Sequence, residues 1–384
     1  MHPLAVAVVL GCAVGAAAQD VIRVATFNIE DARTEEVLDP SNARLRGIAE
    51  TIQRLRPNIL LLNELAYDMP GAPGHTHGEP PGLNARRFVD NFLAVPQAPG
   101  LSPITFEVFM APTNTGVPSG LDLDNNGRVV NSFPFLPRSA RPTPEALEFA
   151  GDCWGFGTFP GQYGMALLVD PRLTILRDKA RTFRLLPWDY MPGALLPETP
   201  DGPWFDEHER GVARLSSKSH WDVPVRLPSG AVVHILCSHP TPPAFDGPEK
   251  RNARRNRDEI RFWRDYIDNA AYIVDDENGT GGLDEYDLFI ILGDLNADPD
   301  KGDSFKDPLG SVLFMSKRVG SRFVPTSDVE VSGLRPTDTA RFGLRVDYVL
   351  PSTEIEVLRG GVWRDPPHPS DHFPVWVEVS VPPP

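Results

Sequence analysis

The sequence predicts an α/β protein made of two stacked, mixed β-sheets with helices on the outside. Three observations carry that expectation. The runs 58–63 and 288–292 are short with wholly apolar centres, as in strands buried on both faces. Strands outnumber helices, and helical-period segments separate only some of them, which suits mixed sheets better than an all-parallel fold. No segment recurs at a fixed period, which sets aside solenoids and propellers.

The elements follow in chain order. Residues 1–18 contain no Asp, Glu, Lys or Arg; an apolar run at 4–10 is followed by Gly15-Ala16-Ala17-Ala18. This is the pattern of a secretory leader cleaved near Gln19, so 19–384 is expected as a single mature domain, secreted or periplasmic. Cys12 follows Val9-Leu10-Gly11, a poor lipoprotein box, and lipid anchoring there is the lesser expectation. Residues 21–29 form a β-rich run. Ser41 then opens a helix on which Leu45, Ile48, Ala49, Ile52 and Leu55 recur at helical spacing, until Pro57 stops it. From about 68 to 160, Pro, Gly and Asn dominate and periodicity is weak, so this stretch reads as an insertion with at most a short strand at 105–110.

Strands return at 164–169, 222–227 and 231–238. Residues 248–271 read as a helix with Ile260, Trp263 and Ile267 on its inner face. Its outer face, with Lys250, Arg251, Arg254, Arg255, Arg257 and Arg261, is expected as a solvated charge surface. Strands at 344–350, 354–358 and 373–381 close the chain. Cys153 and Cys237 allow one disulfide, but Cys237 lies in the apolar run 231–237 and is expected as a buried free thiol.

Composition limits function. Lys and Arg number 37 against 52 Asp and Glu, a formal charge of −15, so a broad basic footprint for nucleic acid is absent. A bound cation can supply the missing charge, and a phosphodiesterase therefore stays open. No stretch beyond the leader reaches the ~18 apolar residues of a membrane span, and stable membrane insertion is not expected. Prolines number 41, about twice the usual ~5%, and many are expected in long ordered loops.

Polar residues stand at strand ends: Asn28 after the first strand, Glu64 after the second, His239 after 231–238, Asp294 and Asn296 after 288–292, and Asp371-His372 before the last. Singly, each is a turn residue or a cap. Delivered together to one rim, carboxylates and amide oxygens suit a hard cation such as Mg²⁺ or Mn²⁺, and two His supply proton transfer near neutral pH. A second signal is Asp122-Leu123-Asp124-Asn125-Asn126-Gly127, the first half of a calcium loop. Phe133 at position 12 excludes a full EF-hand, leaving a shorter Ca²⁺ staple on Asp122, Asp124 and Asn126. Lys218, His220 and Trp221 cluster before a strand, either touching substrate or packing its edge.

The blocks Thr26-Phe27-Asn28, Asn63-Glu64, Ser238-His239-Pro240, Gly293-Asp294-Leu295-Asn296, Arg345-Val346-Asp347-Tyr348 and Ser370-Asp371-His372-Phe373-Pro374 resemble, in order, the motifs of the endonuclease/exonuclease/phosphatase superfamily. The resemblance spans nearly all of 19–384. It departs at Asn63, where that family usually has Gln. It implies a four-layer α/β/β/α sandwich and a metal-dependent phosphoric ester hydrolase. By resemblance, Glu64 is the principal metal ligand, with Asn28 and Asp371 completing or supporting it. Asp294 orients or deprotonates water, and Asn296 holds a phosphate oxygen. His372, oriented by Asp347, contacts the phosphate, and His239 is the general acid.

An extracellular nuclease leads among the specific versions. A phosphomonoesterase or an esterase of phospholipids or inositol phosphates is the alternative, and a secreted binding module without activity comes last. The partner expected is a phosphate-ester substrate, nucleic acid among the candidates; nothing in the sequence points to a protein partner. A dimetal phosphoesterase of the calcineurin type is disfavoured because Ala297 stands where its second Asp belongs; P-loop and His-Glu-x-x-His motifs are absent.

Overall fold

The computed structural model describes residues 19–366 and 368–384. The expected leader, with Cys12, lies outside the described residues. The first half of the chain supplies β1 (Asp20–Ala32), β2 (Ile59–Leu65), β3 (Glu107–Phe109), β4 (Met165–Val169), β5 (Thr174–Ile175) and β6 (Arg181–Thr182). A small hairpin of β7 (Glu198–Thr199) and β8 (Gly202–Pro203) follows. The second half supplies β9 (His220–Arg226), β10 (Val232–Ser238), β11 (Leu288–Asp294), β12 (Asp347–Pro351), β13 (Glu356–Val362) and β14 (Val375–Val381).

These strands form two mixed sheets, ordered β13-β14-β1-β2-β4-β3 and β12-β11-β10-β9-β5, with β6 also on β9. Each sheet contains one parallel pair, β1 with β2 and β10 with β11. Parallel neighbours need a crossover, and here each crossover carries a helix, Ala43–Leu55 in the first and Arg251–Ile267 in the second. Antiparallel strands flank both pairs.

Strand alternation sorts the apolar residues into three layers. Ile22, Val24, Ile59 and Leu61 meet Val233, Ile235, Ile290 and Leu292 between the sheets. Ala25, Phe27, Leu60 and Leu62 face outward onto Leu45, Ile48, Ala49 and Ile52 of the first helix. Leu236, Phe289 and Ile291 face outward onto Ile260, Trp263 and Ile267 of the second. The result is the expected α/β/β/α sandwich.

Three expectations need correction. The first helix starts at Ala43, not Ser41, because the Ser41 hydroxyl donates to Asp39 at 2.6 Å, while Asn42 Oδ1 accepts the Leu45 N–H at 3.0 Å and acts as the cap. The region 68–160 carries more order than its periodicity predicts. It holds the helices Asn84–Phe88 and Pro144–Gly151, and Phe88, Phe92 and Phe106 bury against the outer face of the first sheet. The basic face of the second helix is not a solvated surface. Arg255 donates to the carbonyls of Trp154 at 2.6 Å, Arg214 at 2.7 Å and Leu215 at 3.0 Å, and Arg251 donates to that of Leu123 at 2.7 Å. Irregular segments leave main-chain carbonyls unpaired, and guanidinium forks satisfy them. Cys153 and Cys237 are both buried and free.

Candidate active site

The parity of each strand decides which polar residues meet. Asn28 continues the inward series Ile22, Val24, Thr26, and Asn63 continues Ile59, Leu61. In the second sheet, His239 follows Val233, Ile235, Cys237, and Asp294 follows Ile290, Leu292. Asp347 shares its face with Val349. All five therefore point into the gap between the sheets at one end of the sandwich. Glu64 has the wrong parity, and a left-handed backbone at φ 67 turns it out of the outward series, so that 20% of its side chain stays exposed. Gly293 permits the close approach of β11 to β10, since with φ 145 any Cβ there would lie 1.9 Å from the Ser238 carbonyl oxygen.

One amide ties the two sheets. Asn28 Nδ2 donates to Glu64 Oε1 and to Asp294 Oδ2, each at 3.0 Å, while its Oδ1 accepts the Glu30 N–H at 3.0 Å. Asn28 thus stands as a donor bridging two carboxylates rather than as an oxygen ligand. Asn63 fills the place of the family's longer Gln. Its Oδ1 contacts Thr26 Oγ1 at 3.1 Å and the Asp294 N–H at 3.3 Å, and its Nδ2 donates to the Ser238 carbonyl at 3.3 Å.

Both imidazoles face the same oxygen. Asp294 Oδ2 lies 3.4 Å from His239 Nε2 and 3.7 Å from His372 Nε2. His372 Nδ1 contacts Asp347 Oδ2 at 2.9 Å, which leaves Nε2 for the site. Asp347 is fixed in turn by its own N–H on Thr339 Oγ1 at 3.0 Å. Asn296, with φ 51, donates its N–H to Asp294 Oδ1 at 2.9 Å and its Nδ2 to the Pro240 carbonyl at 3.1 Å. Asp371 stands apart. Its side chain is 47% exposed with an oxygen 4.0 Å from His372 Nε2, and its carbonyl accepts the Arg341 N–H at 2.7 Å.

The electrostatics divide the groups. Burial raises Glu64 to about 7 against the hydrogen bond from Asn28. Burial also pushes Asp294 upward, but His372 and His239 outweigh it and hold the carboxyl well below its usual range. Burial disfavours charge on His372, yet Asp347 and Asp294 prevail and raise it to about 10. Burial, reinforced by Lys218, lowers His239 to about 4. Of the two imidazoles, His372 is therefore the one that holds a proton near neutral pH, and His239 is neutral.

The donor set suits a hard cation. Glu64 offers carboxylate oxygens at the wall of the cavity, close to the ionised Asp294, and Asp294, Asp347 and His372 form a cluster compact enough to hold an ion. A second compact cluster joins Asp122, Asp124 and Asp152. Asp152 joins the two aspartates singled out in the sequence, while Asn126 beside them accepts the Arg128 N–H on Oδ1 at 2.9 Å and donates Nδ2 to Asp124 at 3.1 Å. No motif flags Asp152, which sits 28 positions beyond Asp124, after the helix Pro144–Gly151. Sequence reasoning also missed Asp31, whose N–H holds Glu64 Oε2 at 2.8 Å, and Thr339, which sits in an irregular loop.

Of the cluster Lys218, His220 and Trp221, the last two open β9 itself and are buried packing residues. Lys218 is buried too but lines the cavity, with Nζ 3.4 Å from the Pro240 carbonyl.

The sandwich thus brings an ionised carboxylate, a charged imidazole and a bridging amide to one rim. The chain belongs to the endonuclease/exonuclease/phosphatase family, whose sequence profile matches residues 25–372. Its fold is similar to that of an endonuclease/exonuclease/phosphatase from Beutenbergia cavernae, at 19% identity and TM-score 0.52, over 94% of this chain and 72% of that one. It is also similar to the human Nocturnin catalytic domain with bound sulfate (16% identity, TM-score 0.47, 94% and 97% covered). A mannosyl-6-phosphatase of Bacteroides thetaiotaomicron gives 13% identity, TM-score 0.44, and 93% and 99% covered. No curated protein matches the sequence.

Proposed function

We propose that the protein is an exported phosphoesterase that hydrolyses phosphodiesters with a divalent cation, Mg²⁺ or Mn²⁺. The observation that carries the reading is the shared Asp294 oxygen, facing both imidazoles and tied through Asn28 to Glu64. Glu64, with Asp294 near it, would hold the cation, which supplies positive charge to an anionic ester and lowers the pKa of bound water. The chain's own groups do the rest. Asp294, ionised, orients the attacking water. His372, protonated and fixed by Asp347, presents Nε2–H to a phosphate oxygen and is the imidazole holding a proton for the leaving oxygen. Asn296 orders the turn beside Asp294. His239, neutral in the free protein, aligns against Asp294 rather than starting as the acid that the resemblance implies.

Export is supported by the uncharged segment 1–18 with its small-residue end. No helix among the described residues is long and apolar enough to cross a membrane. Ca²⁺ on Asp122, Asp124 and Asp152 would have a structural role, since this loop is built on the inserted region. A nuclease and a small-molecule diesterase share this chemistry. The cavity favours the second, because seven acidic residues line it against four Lys and Arg.

The test is turnover of bis-p-nitrophenyl phosphate, plasmid DNA, RNA, inositol phosphates and sphingomyelin by metal-stripped protein, with Mg²⁺, Mn²⁺ or Ca²⁺ restored. Metal-restored hydrolysis of the synthetic diester is expected. Full activity in chelator overturns the mechanism.

A further inference from the structure

The site opens into a cavity of about 780 Å³, the size of a pocket that encloses a small molecule. Glu64, Asp294 and His372 lie in its wall, while Leu123, Leu147, Ala150, Trp154, Trp188 and Phe205 give it an apolar chamber. None of these six belongs to the strands of the sandwich; they come from segments between β3 and β9. Leu147 is 46% exposed. Four phenylalanines are exposed among the described residues, and three of them, Phe156, Phe245 and Phe342, line this cavity. Phe245 is 97% exposed and contributes almost nothing to packing. Phe342 meets the His372 ring edge-to-face, with centroids 5.4 Å apart. Exposed rings concentrated around one concave site mark a contact surface, and flat faces with acidic flanks fit an uncharged aromatic group better than a polyanion.

We infer that the substrate is a small phosphoester whose ester group is an aromatic ring system, seated in this chamber among Phe156, Phe245 and Phe342 while its phosphate meets His372 and the water that Asp294 orients. The inference rests on the phosphodiesterase reading and names its substrate class. An aliphatic chain would gain from Leu123 and Leu147 but would leave the three rings without stacking partners. A duplex would have to present its backbone to an acidic enclosure.

The experiment uses p-nitrophenyl diesters whose second ester group is methyl, hexyl or naphthylmethyl. In each case the oxygen of water bonds phosphorus, the P–O bond to nitrophenolate breaks, and the protons of water pass to solvent. The leaving group is therefore common, and only the group in the chamber changes. The naphthylmethyl ester should exceed the methyl ester in kcat/KM by about tenfold or more, the scale of one ring-on-ring contact. The hexyl ester should stay near the methyl ester. Phe245→Ala and, separately, Leu147→Asp should each lower the naphthylmethyl-to-methyl ratio; both positions are exposed enough to change without unfolding the chain.

Binding of naphthylmethyl methylphosphonate, which lacks the nitrophenolate, is measured in parallel by calorimetry. A hexyl preference, or kcat/KM values on all three esters that Phe245→Ala leaves unchanged, overturns the aromatic chamber and leaves the phosphodiesterase reading intact. Binding that Phe245→Ala weakens, without turnover of any ester, supports the chamber and overturns the phosphodiesterase reading instead. Faster cleavage of plasmid DNA than of the naphthylmethyl ester also overturns the chamber as the substrate's seat.

Discussion

In the first sheet, β1 and β2 run parallel across one helix and carry Asn28 and Glu64 towards their C-terminal ends. In the second, β10 and β11 do the same, with His239 just after β10 and Asp294 closing β11. The two units deliver side chains to the same rim by the same topology, yet the chemistry differs. Burial raises the Glu64 carboxyl to about 7, whereas two imidazoles hold Asp294 well below the usual range. Strand ends decide where side chains meet, and the groups facing them decide what each can do. In the proposed mechanism the first unit offers oxygen to a cation and the second handles protons.

That division can be broken most directly at Glu64. Glu64→Gln keeps the hydrogen bond from Asn28 but removes the charge, and should cost about a thousandfold in diester hydrolysis, near the upper range for losing one transition-state contact. Near-parental rates under saturating Mg²⁺ would show that the first unit is scaffold only. His372→Gln should cost about a hundredfold. Asp347→Asn should cost about tenfold, as for partners that orient a site residue. It should also move the alkaline limb of the pH–rate profile to lower pH, because Asp347 is the chief group raising His372; an unmoved limb would remove that pairing from the mechanism. For His239, a methyl ester and a nitrophenyl ester are compared in His239→Ala and His372→Ala. Since the proton sits on His372, the larger leaving-group dependence is expected there, and the reverse result would return the acid to His239.

Stability sharpens the same contrast. His220 is buried behind the second sheet, its ring nitrogens on Ser216 Oγ at 2.6 Å and the Glu259 carbonyl at 2.9 Å. Burial lowers it to about 4 from an unfolded value near 6.5. A depressed histidine contributes stability that is full above the unfolded pKa and is lost as pH falls from about 6.5 through 4, on the order of 2–4 kcal/mol here. Hydrogen exchange during acidification should therefore free the amides of Arg251–Ile267 before those of Ala43–Leu55; simultaneous release would contradict it. The smallest effect belongs to the loop cluster. Asp122→Ala with Asp152→Ala should lower Tm in Ca²⁺ by about 2–4 °C, the equivalent of ~1 kcal/mol. Equal Tm values with and without Ca²⁺, in parent and variant, would remove that ion.

The sandwich was legible because buried strands advertise themselves: the runs around Leu61 and Ile290 are apolar on both faces, and only a sheet covered on both sides accommodates them. The rim was legible because polar residues end those runs with fixed parity. Three things were not. The side chain of Glu64 is aimed by a left-handed backbone at a carboxylate, which alternation does not predict. Asp152 joins Asp122 and Asp124 across 28 positions, beyond the reach of any local spacing rule. The arginines of the second helix read as a solvated surface because their partners are carbonyl oxygens, which every residue carries and no pattern marks.

Those carbonyl contacts have a consequence for how the protein can change. Arg251 and Arg255 grip Leu123, Trp154, Arg214 and Leu215 through main-chain oxygen alone. The attachment is therefore blind to the identity of the gripped residues. Leu123, Trp154 and Arg214 also line the cavity, but Leu123 is buried in the core beside the second helix, so exchange at Trp154 and Arg214 leaves these main-chain contacts in place. The wall can therefore be altered at these two positions, and its fit to a ligand with it, without touching Asp294 or His372.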